Sequence, residues 1–416
     1  MEISTLYQIF LNCGTVTTDS RNCPKGSLFI ALKGDSFNGN AFAAQALNDG
    51  CAYAVIDETG HNPKDDERYI LVDNCLETLQ QLANYHRRQL GTRIIGITGT
   101  NGKTTTKELI SAVLSQSYHV LYTLGNLNNH IGVPTTLLRL KAEHDLAVIE
   151  MGANHPGEIK FLSNIAEPDY GIITNVGKAH LEGFGSFEGV IKTKGELYDF
   201  LRKKENSTIF IHHDNPYLMN IASGLNKIFY GSEENLYING RVTGNSPYLT
   251  FEWKAGKDGE KHEVQTQLIG EYNFPNALAA ITIGTFFGVE ADKINEALSN
   301  YTPQNNRSQL KKTRKSFDTK KAERWFKERR IKYQYIDLDS KGLSPGEYRS
   351  IRAAVGYDAL VDRDSPDYRE LGIDYLLPQA AEEKLLENPW LFRAPIVRNG
   401  RQATVGYCPD VWKTWE

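Results

Sequence analysis

The segment Gly96 to Thr106, GITGTNGKTTT, has the residue types of a loop that holds phosphate groups. Backbone N–H groups of a glycine-containing turn, together with the N-terminus of the helix that follows, can surround phosphate oxygens. Lys103 would reach the terminal phosphates, and the Thr104 hydroxyl would bind Mg²⁺. Ile97 stands where the strict GxxxxGK[ST] pattern has its first glycine, so an ordinary loop of this composition is the alternative. The predicted nucleotide contacts are Gly99, Thr100, Asn101, Gly102, Lys103, Thr104 and Thr105.

The elements around this loop predict an α/β fold. The apolar runs TRIIGIT, DLAVIEMGA and YGIITNVG alternate with helical patterns, which indicates a mostly parallel sheet covered on both faces. The runs SLFIAL and CAYAVID predict a smaller α/β unit before it, and residues 207–270 are interpreted as antiparallel hairpins joined to the main sheet. From about residue 313 a basic helix, a strand KYQYIDL and the stretch APIVRNGRQATVGY predict a third α/β unit. The predicted domains are residues 1–88, 89–307 and 308–416.

Composition narrows the classes of protein. The 416 residues have a formal charge of -4, yet residues 308–416 hold 21 basic and 17 acidic side chains. The stretch from Lys311 to Lys332 has eleven basic and three acidic residues but lacks the interleaved aromatics of a nucleic-acid platform, so a solvated helix face is favoured over a nucleic-acid arm. No apolar run is long enough to span a membrane and no signal peptide is evident, so a cytoplasmic location is expected. Five scattered cysteines predict neither disulfides nor structural zinc: Cys13, Cys23, Cys51, Cys75 and Cys408.

Several further segments resemble one enzyme family. They are TTDSRNCPKGSLFIALKGDSFNGNAF, YTLGNLNNHIGVPTTLL, VIEMGANHPGEI, TNVGKAHLEGFGSFEGVIKTKGEL and GEYNFPNALAA. With the phosphate loop, and in this order and spacing, residues 1–307 resemble the Mur ligases, which have a UDP-binding α/β domain and a central P-loop ATPase-type domain. VIEMGANHPGEI is similar to the MurF branch, which adds D-alanyl-D-alanine to UDP-N-acetylmuramoyl-tripeptide in peptidoglycan synthesis. The resemblance therefore implies these two molecules as substrates, with ATP and Mg²⁺ as cofactors.

The implied reaction has two steps. ATP phosphorylates the peptide carboxylate to an acyl phosphate, and the incoming amine then displaces phosphate through a tetrahedral intermediate. Because several anionic groups meet, metal and cationic contacts should supply much of the stabilisation. By resemblance, the catalytic residues are Lys103, His180 and Lys194.

The resemblance also implies ligands and substrate contacts. Thr104 and Glu150 would hold the Mg²⁺ between the ATP phosphates, and His180 and a carbamylated Lys194 would hold a second metal. Taken singly, Glu150 could be a solvated carboxylate, His180 a loop histidine and Lys194 a surface lysine. The remaining implied contacts are Asn276 near adenine, Arg307 closing on ATP, Ser20 and Arg21 near UDP or merely in a turn, and Asn126, Asn128 and Asn129 in the substrate loop.

After residue 307 the third domain of the family is not recognisable. Residues 313–416 instead resemble the arsenate-reductase-like (ArsC/Spx) family, a thioredoxin-related fold, with Pro395 at the position of a cis proline. Ser316 stands where that family has its nucleophilic cysteine, so thiol redox chemistry is expected to be absent. The chain could be a recombined chimera or a natural fusion. The functions to compare are therefore a ligase, a nucleotide- or precursor-binding protein without turnover, and a redox protein.

Overall fold

The structure is a computed structural model that divides into two compact units, Met1–Gln309 and Leu310–Glu416. The residues that it describes are 1–34, 37–61, 66–177, 184–245, 248–302, 314–329, 331, 343–363, 365–376, 378–399 and 402–415.

The Met1–Gln309 unit begins with a small α/β sandwich. Its strands are β1 (Val16–Thr17), β2 (Leu28–Ile30), β3 (Lys33–Gly34), β4 (Phe37–Asn38), β5 (Tyr53–Ile56) and β6 (Tyr69–Leu71). Its helices are α1 (Ile3–Cys13), α2 (Ala43–Asn48) and α3 (Cys75–Leu90). Within the described residues β1, β2, β5 and β6 form a parallel sheet in that order, while β3 and β4 pair with each other. The predicted small α/β unit is present.

A larger sheet follows helix α3. Its strands are β7 (Arg93–Thr98), β8 (Val120–Tyr122), β9 (Leu146–Glu150), β10 (Tyr170–Ile173), β11 (Thr208–His212), β12 (Asn226–Gly231), β13 (Ile238–Asn245), β14 (Leu249–Ala255) and β15 (His262–Gln265). In the described part of the chain their order is β15-β14-β13-β12-β11-β10-β7-β9-β8. Only the β13-β14 and β14-β15 pairs among them are antiparallel. The sequence interpretation of residues 207–270 was thus right for β13 to β15 and wrong for β11 and β12, which pair parallel.

Helices cover both faces of the large sheet. They are α4 (Lys103–Leu114), α5 (Gly132–Leu137), α6 (Glu158–Ala166), α7 (Phe187–Leu201), α8 (Pro216–Ile221), α9 (Phe274–Phe286) and α10 (Ala291–Asn300). On one face, α4, α9 and α10 enclose a core that includes Ile97, Leu109 and Ile281. On the other, the core is continuous with that of the small sandwich and includes Leu82, Ile149 and Leu197. Strand β7 is apolar on both faces because it lies between these two cores.

The Leu310–Glu416 unit has its own smaller cores. Its helices are α11 (Arg314–Glu328), α12 (Pro345–Val355), α13 (Tyr357–Leu360), α14 (Pro366–Glu370), α15 (Pro378–Glu387) and α16 (Pro409–Trp412), and its strands are β16 (Ile396–Asn399) and β17 (Gln402–Val405). β16 and β17 pair antiparallel, and the Ala394–Pro395 bond is cis, as predicted. The predicted strand at residues 332–338 and the junction at residues 308–313 lie outside the described residues, so the thioredoxin-like fold stays a prediction.

The basic segment in this unit is a helix, as expected. Ala322 and Trp325 are buried in α11, and Phe326 packs against the same cluster. Within the part of the chain that the structure describes, no helix is both long enough and apolar enough to cross a lipid bilayer.

Candidate active site

A cavity of about 1260 Å³ lies at the carboxyl ends of strands β7, β9 and β10 in the Met1–Gln309 unit. Open α/β sheets bind ligands at this edge because the loops that follow parallel strands meet there. Most residues predicted from the sequence line it: Gly99, Thr100, Asn101, Gly102, Lys103, Thr104, Thr105, Asn126, Asn128, Asn129, Glu150, Lys194 and Asn276.

The phosphate loop is held by the neighbouring strand end. The Thr174 hydroxyl donates to Asn101 O at 2.6 Å, and the Asn101 N–H donates to Asn175 Oδ1 at 3.0 Å. A Cβ at Gly99 would lie 2.1 Å from Thr174 Oγ1, so only glycine fits there. Thr174 and Asn175 were not among the predicted site residues, although their position directly after the apolar run YGII was a usable signal.

Lys103 begins helix α4 and turns back over the loop. Its Nζ donates to Gly99 O at 2.9 Å and to Thr100 O at 3.1 Å. This places a positive charge beside the loop N–H groups and the positive end of the α4 dipole. The arrangement suits a polyanion such as a nucleotide phosphate chain.

Glu150 ends strand β9 at the floor of the cavity. Its Oε1 accepts from Asn128 Nδ2 at 2.8 Å and from the Thr104 hydroxyl at 3.3 Å. Its Oε2 is buried without a hydrogen-bond partner among the described residues. A buried carboxylate oxygen without a donor is costly, and a bound cation would relieve that cost. The carboxylate and the adjacent hydroxyl are hard oxygen donors, so these two residues fit Mg²⁺.

Lys107 is a buried lysine next to Glu150 that was not among the predicted site residues. It is one turn after Lys103 on α4, its side chain is 1% exposed, and its Nζ lies 3.8 Å from Glu150 Oε2. Burial lowers the pKa of Lys107, while the nearby carboxylates of Glu150 and Glu108 oppose that shift. The i,i+4 spacing to Lys103 was a signal that it shares the same helix face.

Lys194 lies on α7 and is nearly fully buried. Its Nζ donates to Ala153 O at 3.3 Å and lies 5.3 Å from the centre of the Phe184 ring. Burial first, and then the positive charge of Lys103, lower the pKa of Lys194 to about 8. The amine is therefore neutral more often near neutral pH than that of an exposed lysine. The sequence alternative of a surface lysine is wrong, because the side chain is 3% exposed.

Asn276 lies on α9 against the phosphate loop. Its Oδ1 accepts from the Thr106 hydroxyl at 3.1 Å, and its Nδ2 donates to Asn273 Oδ1 at 3.2 Å. Gly102, with a φ of 78°, passes so close that a Cβ would lie 2.8 Å from Asn276 Oδ1. Asn276 therefore lies next to the loop.

The predicted substrate loop with Asn126, Asn128 and Asn129, here the Asn-rich loop, forms another wall of the cavity. Asn128 reaches Glu150, as described, whereas Asn129 Oδ1 accepts from the N–H groups of Ile131 and Gly132 at 3.1 and 2.8 Å. The Asn129 side-chain oxygen thus fixes the start of α5. Asn126 contributes its backbone carbonyl to the turn, where it accepts from Asn128 N at 2.7 Å.

Ser20 and Arg21 lie in the loop between β1 and β2 and do not line this cavity. The Arg21 guanidinium donates to Asp19 Oδ1 and Oδ2 at 2.9 and 2.8 Å. These hydrogen bonds hold the pKa of Asp19 at about 2. The turn predicted as the alternative is present at this position. Their predicted UDP contact stays a prediction.

Three predicted residues remain without a described environment. His180 and Arg307 lie outside the described residues, and the side chain of Ser316 in α11 does too. Among the side chains that the structure does describe, no three His, Cys, Asp or Glu gather as a metal cluster. Of the predicted metal ligands that need no covalent modification, the structure describes the positions of Glu150 and Thr104.

Family matches fall in both the small sandwich and the large sheet of the Met1–Gln309 unit. Residues 97–284 match the Mur ligase middle domain, and residues 13–87 match the domain described as "Mur ligase family, catalytic domain".

Individual relatives are bacterial enzymes. The chain is 39% identical over 298 residues to the UDP-N-acetylmuramoyl-tripeptide–D-alanyl-D-alanine ligase of Bacillus subtilis, covering 72% of this chain and 64% of that protein. It is 39% identical over 293 residues to the Escherichia coli ligase of the same name, covering 68% and 63%. The chain thus spans less than two thirds of the length of these relatives.

Solved structures agree with the sequence comparison. A MurF structure from Acinetobacter baumannii is 31% identical with a TM-score of 0.64, covering 73% of this chain and 69% of that one. The MurF ligase from Thermotoga maritima in complex with ADP is 28% identical with a TM-score of 0.61, covering 70% and 67%. With the phosphate loop, the buried carboxylate and the buried lysine around one cavity, these matches show that the chain belongs to the Mur ligase family.

Proposed function

We propose that the chain is an ATP-dependent amide ligase of peptidoglycan precursor synthesis that joins D-alanyl-D-alanine to UDP-N-acetylmuramoyl-tripeptide. The observation that carries the proposal is the single cavity in which the phosphate loop, Glu150 and Lys194 meet. The named relatives support the choice of substrates, since they are ligases for this tripeptide and dipeptide.

The phosphate loop would bind the ATP triphosphate. The Lys103 ammonium, which now donates to two loop carbonyls, would exchange them for phosphate oxygens. Charge-assisted hydrogen bonds to phosphate are stronger than those to a neutral carbonyl, so the exchange is favourable. Asn276, beside Gly102, would lie on the nucleotide side of the loop, and its side-chain amide is suited to adenine.

Glu150 and Thr104 would hold Mg²⁺. The cation would neutralise phosphate charge and act as a Lewis acid on the phosphoryl group. The hydrogen bond from Asn128 keeps the carboxylate in place. His180 is proposed, from the family resemblance alone, as a ligand of a second metal.

The chemistry follows from the substrates. The tripeptide carboxylate attacks the γ-phosphorus of ATP, which releases ADP and forms an acyl phosphate. The amine of D-alanyl-D-alanine then attacks the acyl carbon, loses a proton and expels inorganic phosphate. Lys103 and the loop N–H groups would stabilise the charge that moves between phosphate oxygens.

Lys194 is proposed to carry a carbamate. The ammonium would lose a proton, and the neutral amine would add carbon dioxide and release a second proton to give an anionic oxygen ligand. The burial of Lys194 next to a proposed metal site fits that role. Isotope-labelled bicarbonate should give a carbamate NMR signal in the wild type that Lys194→Gln lacks. A signal of equal size in both proteins would contradict this assignment.

The ligase proposal is tested by turnover. Purified protein should release phosphate when ATP, Mg²⁺, UDP-N-acetylmuramoyl-tripeptide and D-alanyl-D-alanine are all present, and Lys103→Ala should release none. The Lys160→Ala variant, whose lysine is exposed on α6, is the matched control and should retain full activity. Phosphate release equal to the background of Lys103→Ala would overturn the proposal.

A second candidate is a protein that binds nucleotide and precursor without joining them. It is supported by residues 313–416, which resemble the ArsC/Spx family and not the third domain of the Mur ligases. Calorimetry would separate the two functions, because binding of both ligands with no phosphate release supports this candidate.

For the Leu310–Glu416 unit we propose a thioredoxin-related fold without thiol catalysis, on the ArsC/Spx resemblance and the serine at position 316. A dithiol-dependent arsenate reduction assay should give no activity, and reduction above a protein-free control would contradict this assignment.

A further inference from the structure

Lys107 makes contacts that the proposed chemistry does not use. Its side chain and that of Glu150 are each 1% exposed, although ammonium and carboxylate groups are rarely buried so completely. Burying an ion pair seldom stabilises a fold more than an apolar pair of the same size would. A contribution to stability is therefore a weak explanation for a lysine at this place.

The contacts of Lys107 join three segments of the cavity wall. Its backbone belongs to helix α4, which carries the phosphate-binding Lys103. Its Nζ donates to Gly125 O at 3.1 Å, at the start of the Asn-rich loop, and lies 3.8 Å from Glu150 Oε2. In the same loop, Asn128 Nδ2 donates a hydrogen bond to Glu150 Oε1 at 2.8 Å.

The Lys107 ammonium faces the Glu150 oxygen for which the described residues supply no hydrogen-bond donor. This is the oxygen that suits a cation, so a metal there and the ammonium would repel each other. With less attraction from Glu150, the ammonium would interact more strongly with Gly125 O. The contact that holds the Asn-rich loop would thus strengthen when metal and nucleotide bind.

We propose that Lys107 is a positioning residue that couples the nucleotide–Mg²⁺ site to the precursor-binding Asn-rich loop, through its contacts with Glu150 and Gly125. The inference rests on the proposed function, because it takes the two ligands from there. Coupling between sites is reciprocal, so each ligand would tighten the binding of the other by the same factor.

The test measures the affinity of the full-length protein for UDP-N-acetylmuramoyl-tripeptide by calorimetry, with and without Mg²⁺ and the non-hydrolysable ATP analogue AMPPNP. In the wild type we expect the nucleotide to tighten precursor binding by about tenfold, a typical coupling factor. In Lys107→Met the two affinities should be equal, while AMPPNP affinity changes by less than about threefold. A merely structural role would weaken both ligands and leave their ratio unchanged.

Two further variants keep the test decisive. Lys107→Gln retains a donor for Gly125 O but has no charge, and it serves as the test if Lys107→Met fails to fold. It should bind the precursor without nucleotide, and AMPPNP with Mg²⁺ should not increase that affinity. Ser111→Ala is the control on the same helix, since the Ser111 hydroxyl donates to Lys107 O at 2.7 Å, and it should keep the full coupling.

The outcomes separate the two proposals. If the wild type binds neither ligand, the proposed function fails and the coupling role fails with it. The role of Lys107 alone is overturned if the wild type binds both ligands but its precursor affinity is the same with and without nucleotide. It is also overturned if nucleotide increases the precursor affinity of the Lys107 variants as much as that of the wild type.

Discussion

At the residue scale, Gly102 sets how closely helix α9 can approach the phosphate loop. Its φ of 78° disfavours any side chain, and a Cβ would lie 2.8 Å from Asn276 Oδ1. Asn276 has little room to move because it is buried and bonded to Thr106 and Asn273. We expect Gly102→Ala to lose at least about tenfold in ATP affinity, and to cost about 1–3 kcal/mol of stability from the strained backbone.

The matched control for this substitution is Gly91→Ala. Gly91 also has a positive φ, of 65°, but a Cβ there would meet nothing within 4 Å. This variant should lose stability through backbone strain and keep its ATP affinity, measured by calorimetry. Equal losses of affinity in the two variants would mean that strain alone, and not the approach to Asn276, explains the effect.

At the element scale, helix α3 joins the small sandwich to strand β7 and carries a buried histidine. His86 Nε2 lies 3.0 Å from Leu140 O, its Nδ1 lies 3.2 Å from Tyr7 Oη, and the Phe10 ring packs edge-on against it. Burial lowers the pKa of His86, so the folded protein favours the neutral ring. The unfolded chain takes up a proton as the pH falls through about 6.5, and stability is therefore lost between that pH and the lowered pKa.

Replacing His86 should flatten this dependence. His86→Gln is expected to melt at a lower temperature than the wild type at pH 7, with a smaller further decrease at pH 5.5, in scans of Tm against pH. His119→Gln, at a side chain that is 80% exposed, should follow the wild-type curve. Parallel curves for His86→Gln and the wild type would show that this histidine does not contribute to the acid sensitivity.

The elements that the sequence predicted are those whose signal is local. The phosphate loop was readable because the strand, glycines, lysine and helix are consecutive, and the parallel strands β7, β9 and β10 were readable as continuous apolar runs. The direction of β11 and β12 could not be read from the sequence, because the same residues fit a parallel and an antiparallel pair. The parallel pairing depends on helix α8, which connects the two strands. Lys107 was missed because its sequence neighbours are those of an ordinary amphipathic helix, and only the fold brings Gly125 and Glu150 to it.

At the scale of the whole molecule, the two compact units have separate cores. The core of the Leu310–Glu416 unit includes a cluster in which Trp412 packs against Trp325 and Phe326, with ring centres 5.3 and 5.0 Å apart. The Trp412 indole N–H also donates to Thr404 Oγ1 at 2.7 Å. Because the described residues proposed to bind the ligands belong to the Met1–Gln309 unit, we expect two thermal transitions, of which one responds to ligand.

Trp412→Ala tests this independence. It removes the buried ring that contacts Trp325, Phe326 and Tyr407, and should destabilise its own unit by about 3–5 kcal/mol. In calorimetric scans one transition should move to lower temperature, while the other should keep its position and its upward shift with AMPPNP and Mg²⁺. Trp390→Ala is the control, since that side chain is 48% exposed and should change neither transition much. A single transition that Trp412→Ala lowers and AMPPNP raises would instead show that the two units unfold cooperatively, and that the stability of one is linked to ligand binding by the other.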